Sequence, residues 1–236
     1  MDCKYLVIST DFASYEGNHL ADSWSEILRC ISEFERLLLL ASGARSDAAV
    51  FVPSKKNMEL SDLETKNSLL LLNEIEPSLV DRVFTQSAHL DSEAIVDFVN
   101  HLCAISHIEL DNAESPRVFC LQKIVEITYY NMGRIRIVWT RIWQILARHF
   151  EEAGMHENKH ISIYAIDSLR QLASKFLEKD ELASFEFQKQ FLHPFEVIMS
   201  SRSLEIREFV VQCLSSLVLS RIRNVKSGWR SVFLVN

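Results

Sequence analysis

The sequence predicts an all-α protein, a HEAT/armadillo-like α-solenoid of helix pairs, and three observations carry that prediction. Only five Gly and four Pro punctuate the 236 residues, too few for the many tight turns of a sheet-rich fold. Apolar residues recur at helical spacing along most of the chain, as in amphipathic helices. Three segments also superpose at a constant interval of 45 residues: PRVFCLQKIVEI from Pro116, ISIYAIDSLRQL from Ile161 and IREFVVQCLSSL from Ile206. A helix pair recurring every ~40–47 residues is the period of HEAT and armadillo arrays.

In chain order, residues 1–18 form an N-terminal segment. MDCKYLVISTDF scatters Asp2, Lys4 and Asp11 around a short apolar run, unlike a secretory signal. The first helix is expected over 19–41, with Trp24, Ile27, Leu28, Ile31 and Phe34 on one side. SGARSDAAVFVPSKKN at 42–57 has no period and reads as a flexible loop over about 42–60. NSLLLLNEIEP reads as a short helix stopped at Pro77.

From about residue 91 the pattern becomes regular. Asp91 is placed to cap a helix through about Glu109; a capping box would need Glu or Gln where Ala94 stands. Helix-like stretches at 91–109, 134–153 and 181–200 each precede one superposed segment. Within those segments Pro116, Ile161 and Ile206 share a column. So do Cys120, Ala165 and Val210, then Ile124, Leu169 and Leu214, then Ile127, Leu172 and Leu217. This spacing lines one helix face. Arg117 and Arg207 fill the arginine column of a HEAT second helix; Ser162 does not, and Lys123 stands where a small residue is usual.

The junction YYNMGRIRIVW (129–139) places Gly133 near the meeting of two antiparallel helices, with Asn131 or Gly133 expected in the left-handed conformation. In FEFQKQFLHPFE (185–196), Phe185, Phe191 and Phe195 read as core and Pro194 as a helix start or kink. KSGWRSVFLVN looks like the opening of another first helix. Its apolar end at Val232, Phe233, Leu234 and Val235 leads us to expect residues 19–236 to be a domain cut from a larger protein.

Net charge is -7, but unevenly spread: residues 1–115 hold 8 Lys+Arg against 20 Asp+Glu, and residues 116–236 hold 17 against 12. The basic excess lies in two acid-free patches, Arg134, Arg136, Arg141 and Arg148, and Arg221, Arg223, Lys226 and Arg230. Patches of this kind meet acidic proteins or anionic head groups, and a chain this acidic overall is not expected to bind nucleic acid. Arg134, Arg141 and Arg148, spaced by seven, would mark the one wet face of a helix whose stripe is Ile135, Trp139, Ile142 and Leu146, with Val138, Trp143 and Ile145 in other directions. Two readings compete there, a solvated stripe paired with Glu151 and Glu152 and a partner-binding surface.

Sites for chemistry are few. Five dispersed cysteines (Cys3, Cys30, Cys103, Cys120, Cys213) fit reduced thiols. His156 and His160 have ligand spacing without a third ligand; His101 and His107 fall on different sides of a helix; Asp167 and Arg170 read as an ion pair. No phosphate loop, nucleophile elbow or metalloprotease motif occurs, so no catalytic residue, metal or cofactor is expected. Nor does any stretch approach the length of a membrane-spanning helix.

Four stretches, LCAISHIEL, PRVFCLQKIVEITYYNMGRIRIVWTRIW, AIDSLRQLASKFLEKDELASFEFQKQFLHPFE and NVKSGW, carry a resemblance. GNHLADSWSEILRCISEFERL extends it towards the N-terminus. Together they resemble the first homology region downstream of the catalytic domain (HDS) in the large Arf guanine-nucleotide exchange factors of the BIG (brefeldin A-inhibited) and Sec-seven group. The resemblance implies an all-helical regulatory domain, itself non-catalytic, of a cytoplasmic factor peripheral on trans-Golgi or endosomal membranes. Implied partners are an Arf-family small GTPase and neighbouring domains of the parent protein; the basic patches and the repeat pattern offer the alternative of an anionic-lipid-binding or generic HEAT scaffold module. It assigns no contact residues; charge and spacing alone nominate the two basic patches.

Overall fold

Helices form here where an apolar stripe coincides with a residue able to start or stop the backbone. The computed structural model describes residues 13, 15–41, 77–113, 115–179 and 187–235, and the regular elements among them are all helical. They are α1 (Trp24–Ala41), α2 (Pro77–Gln86), α3 (Ala94–Leu110), α4 (Phe119–Asn131), α5 (Arg136–Gly154), α6 (Lys159–Leu177), α7 (Phe187–Ile198), α8 (Leu204–Arg221) and α9 (Trp229–Val235). Short 3-10 turns lie at Gly17–His19, Ala21–Ser23 and Ser87–His89. The expected loop at 42–57, Cys3 and Phe185 lie outside the described residues. Two compact units divide the chain, Met1–Gly133 and Arg134–Asn236.

In the first unit α1 packs on α3 and α2 on α4. Trp24 meets Phe98 edge-on at 4.7 Å, while further along the same two helices Ser32 bonds Glu109; α1 and α3 therefore run in the same direction. Trp24, Ile27, Leu28, Ile31 and Phe34 are all buried as the stripe requires. Asp91 acts as the expected cap, its Oδ1 accepting from Glu93 N at 3.0 Å and Ala94 N at 2.8 Å. Pro77 is the first residue of α2, where its missing N–H costs nothing; the short helix expected before it lies outside the described residues. Lys123 in its unusual column holds its ammonium over the Phe84 ring and bonds Asp81 at 2.9 Å.

The second unit has two layers, α5, α7 and α9 in one and α6 and α8 in the other. Lys159 pairs with Glu205 where α6 and α8 start, and Arg221 with Glu178 where they end. Trp143 stacks on Phe191 at 3.9 Å and Phe191 on Phe176 at 4.1 Å, an aromatic core shared by α5, α6 and α7. Phe191 and Phe195 are buried as expected.

Across both units all twelve residues of the superposed columns are buried. The arginine column also proves functional where it departs from arginine. Arg117 Nη1 donates to Ser32 O at 2.7 Å and Arg207 Nη1 to Ser201 O at 2.6 Å. At the same position Ser162 Oγ reaches His156 O at 2.8 Å. A short hydroxyl can replace the guanidinium here because the carbonyl it satisfies, in the loop just before its own helix, is near.

Two either-or expectations are narrowed. Asn131 is not left-handed: it closes α4 as a buried helical residue, with Nδ2 donating to Ile127 O at 2.8 Å and Ser87 Oγ at 3.1 Å. Gly133 does lie in the turn between α4 and α5. Pro194 starts nothing; it sits inside α7. A proline there leaves the carbonyl four residues back without its helical donor. That carbonyl belongs to Gln190, and Trp143 Nε1 donates to it at 3.1 Å.

Candidate interaction surfaces

The first basic patch is split by where α5 begins. Ile135 is extended (φ -54, ψ 145), and the first helical bond runs from Trp139 N to Ile135 O at 3.0 Å. Arg134 therefore stands before the helix, and the expected stripe of three arginines reduces to Arg141 and Arg148. For the same reason Ile135 leaves the apolar stripe and is 71% exposed, while Trp139, Ile142 and Leu146 are buried. Val138 and Trp143 join them, so one broad face of α5 is covered. Arg136 and Arg148 are exposed, Arg134 and Arg141 half-buried. Arg148 Nε bonds Glu152 Oε1 at 3.0 Å, the local pair foreseen for a solvated stripe.

The second patch surrounds the turn from α8 to α9. Arg221 pairs with Glu178, whereas Arg223, Lys226 and Arg230 are exposed. Gln188 fixes the turn: its Oε1 accepts from Lys226 N at 2.8 Å and Gly228 N at 3.2 Å, and its Nε2 donates to Asn224 O at 2.9 Å. A Cβ on Gly228 would lie 2.9 Å from Leu192 Cδ1, so any larger residue there would have to displace that side chain.

A polar cluster in the first unit went unrecognised in the sequence. Arg117 Nη2 lies 3.2 Å from Glu109 Oε1 and donates to Ser32 Oγ at 2.7 Å; Glu109 also accepts from Cys120 N at 2.8 Å. Burial pushes the Glu109 carboxyl up, opposed first by Arg117. The arginine column was the only signal for this cluster, because Glu109 and Ser32 look like ordinary helix-surface residues until the helices meet. A groove of about 260 Å³ lies above it, with Arg29 and Arg36 at the rim. Each rim arginine pairs with a glutamate of its own helix, Glu26 and Glu33, so among the described residues the rim offers no uncompensated arginine with which to attract an ion.

The other candidates separate. His156 Nδ1 accepts from Asn158 N at 2.9 Å, and Asn158 Oδ1 caps α6 through His160 N at 3.0 Å. His101 faces Asp22 at 3.7 Å and His107 faces Asp111 at 3.2 Å. Asp167 and Arg170 form the expected pair at 2.7 Å. Cys30, Cys103, Cys120 and Cys213 are free thiols. Among the described residues no cluster of His, Cys, Asp and Glu is arranged to hold a metal, and no helix is long and apolar enough to cross a membrane.

Comparison with known proteins gives a consistent result. The family described as Mon2/Sec7/BIG1-like, HDS matches residues 175–236. Brefeldin A-inhibited guanine nucleotide-exchange protein 1 of Arabidopsis thaliana is 42% identical over 279 aligned residues, covering 100% of this chain and 16% of the relative. Its human counterpart of the same name is 43% identical over 251 residues, covering 94% of this chain and 14% of the relative. The chain thus spans only about a sixth of the length of the curated relatives it matches.

Proposed function

Because the chain belongs to the brefeldin A-inhibited guanine nucleotide-exchange protein family, corresponding to its HDS region, we propose that it serves as a non-catalytic regulatory module of a large Arf guanine-nucleotide exchange factor. In this reading it contributes to autoinhibition and to membrane recruitment through GTP-bound Arf during vesicle traffic at the trans-Golgi. The carrying observation is likeness along the whole chain to proteins named for nucleotide exchange, of which the chain spans so little. The GTPase contact is assigned to α5 and its lead, Arg134, Arg136, Arg141 and Arg148. Arg141 and Arg148 lie on the side of α5 opposite buried Trp139, Ile142 and Leu146, so contact there would leave the core intact.

Capture of the chain by immobilised Arf loaded with GTP or GDP tests this reading. Retention on the GTP form, lost in the Arg141→Glu/Arg148→Glu variant with unchanged melting, is the expected result. A desolvated charge contact costs a few kcal/mol when broken. Equal retention on both nucleotide states, or none, refutes the proposal.

A further inference from the structure

The two basic patches, remote in sequence, share one edge of the second unit. Trp139 near the start of α5 lies 6.5 Å from Phe176 near the end of α6. The end of α6 is tied to the end of α8 through Glu178 and Arg221, and Gln188 at the start of α7 holds the turn after α8. Isoleucines stand in water on this edge, Ile135 at 71% exposure, Ile137 at 74% and Ile222 at 56%. Each alternates with cations, in the runs Arg134-Ile135-Arg136-Ile137 and Arg221-Ile222-Arg223. The acidic Glu178 on this edge is already engaged by Arg221. The sequence places Asp180, Glu181 and Glu186 in the segment joining α6 to α7, outside the described residues, and the site does not include it.

We propose that this edge docks directly on an anionic membrane surface. Ile135, Ile137 and Ile222 enter the boundary between head groups and acyl chains, and Arg223 and Lys226 meet the lipid anions. The interleaving favours a membrane over a protein partner. A protein interface concentrates apolar groups in a charge-depleted core, whereas interfacial membrane binding combines separated apolar side chains with Lys and Arg. The inference does not depend on the GTPase reading, since it requires no second protein.

Flotation of the full chain with phosphatidylcholine vesicles, with and without phosphatidylserine and in the absence of any GTPase, tests it. Binding is expected only with phosphatidylserine and should fall with salt. The Arg223→Gln/Lys226→Gln variant should bind about twenty-five-fold less well, from about fivefold per cation. Ile137→Ser should lose about tenfold even at low salt. Arg202→Gln, in the α7–α8 loop at the opposite edge, should bind like the unsubstituted chain, and Arg141→Glu/Arg148→Glu should retain most vesicle binding. Equal binding to both vesicle types, unaffected binding in the edge variants with unchanged melting, or binding only when GTP-loaded Arf decorates the vesicles would each overturn the proposal.

Discussion

Replacing Trp143 with Phe should destabilise the second unit, and Pro194 decides by how much. Trp143 is buried and stacks on Phe191, and its Nε1 donates to Gln190 O at 3.1 Å. Without an N–H at Pro194, the indole replaces the missing helical donor. Trp143→Phe removes it and leaves a carbonyl unsatisfied in α7, a cost of about 1–3 kcal/mol. The smaller ring adds about 1–2 kcal/mol of lost packing. In a Pro194→Ala background the new amide can bond Gln190 O, so only the packing loss should remain. Urea denaturation of the unsubstituted chain, both single variants and the double variant should give a coupling of about 1–2 kcal/mol. Additivity within about 0.5 kcal/mol would show that the indole bond does not compensate for the proline.

Two further substitutions probe the first unit and the α8–α9 turn. Arg117→Met strands the buried Glu109 and should cost about 3–5 kcal/mol. Burial raises the folded Glu109 pKa above its unfolded value, so the folded state takes up the proton first and stability grows as pH falls through the folded value towards about 4.3. Losing Arg117 widens that window, and denaturation midpoints for the variant should recover on acidification more than those of the unsubstituted chain; a flat or inverted dependence refutes the assignment. Gly228→Ala forces a Cβ against Leu192 Cδ1 and 3.3 Å from Gln188 Cβ. It should cost about 1–3 kcal/mol, read as a fall in Tm, and an unchanged Tm would show that the turn is not closely packed.

By itself the sequence determined the helical class, the 45-residue repeat and the core columns, because each depends on spacing within one helix. The stripe from Trp24 to Phe34 and the cap at Asp91 were legible for the same reason: their partners are local. Tertiary structure decided the rest. Pro194 was tolerated inside α7 because Trp143, on another helix, supplied the missing donor. Glu109 became a buried charge only where α1 and the residues leading into α4 delivered Ser32 and Arg117. The start of α5 at Arg136 turned Arg134 and Ile135 from members of a helix face into part of an exposed edge. That edge also holds Arg223 and Lys226, because α6 and α8 run side by side in the same direction and end together. Periodicity reports which side of a helix is buried, but which helix ends meet is set by packing between residues far apart in sequence.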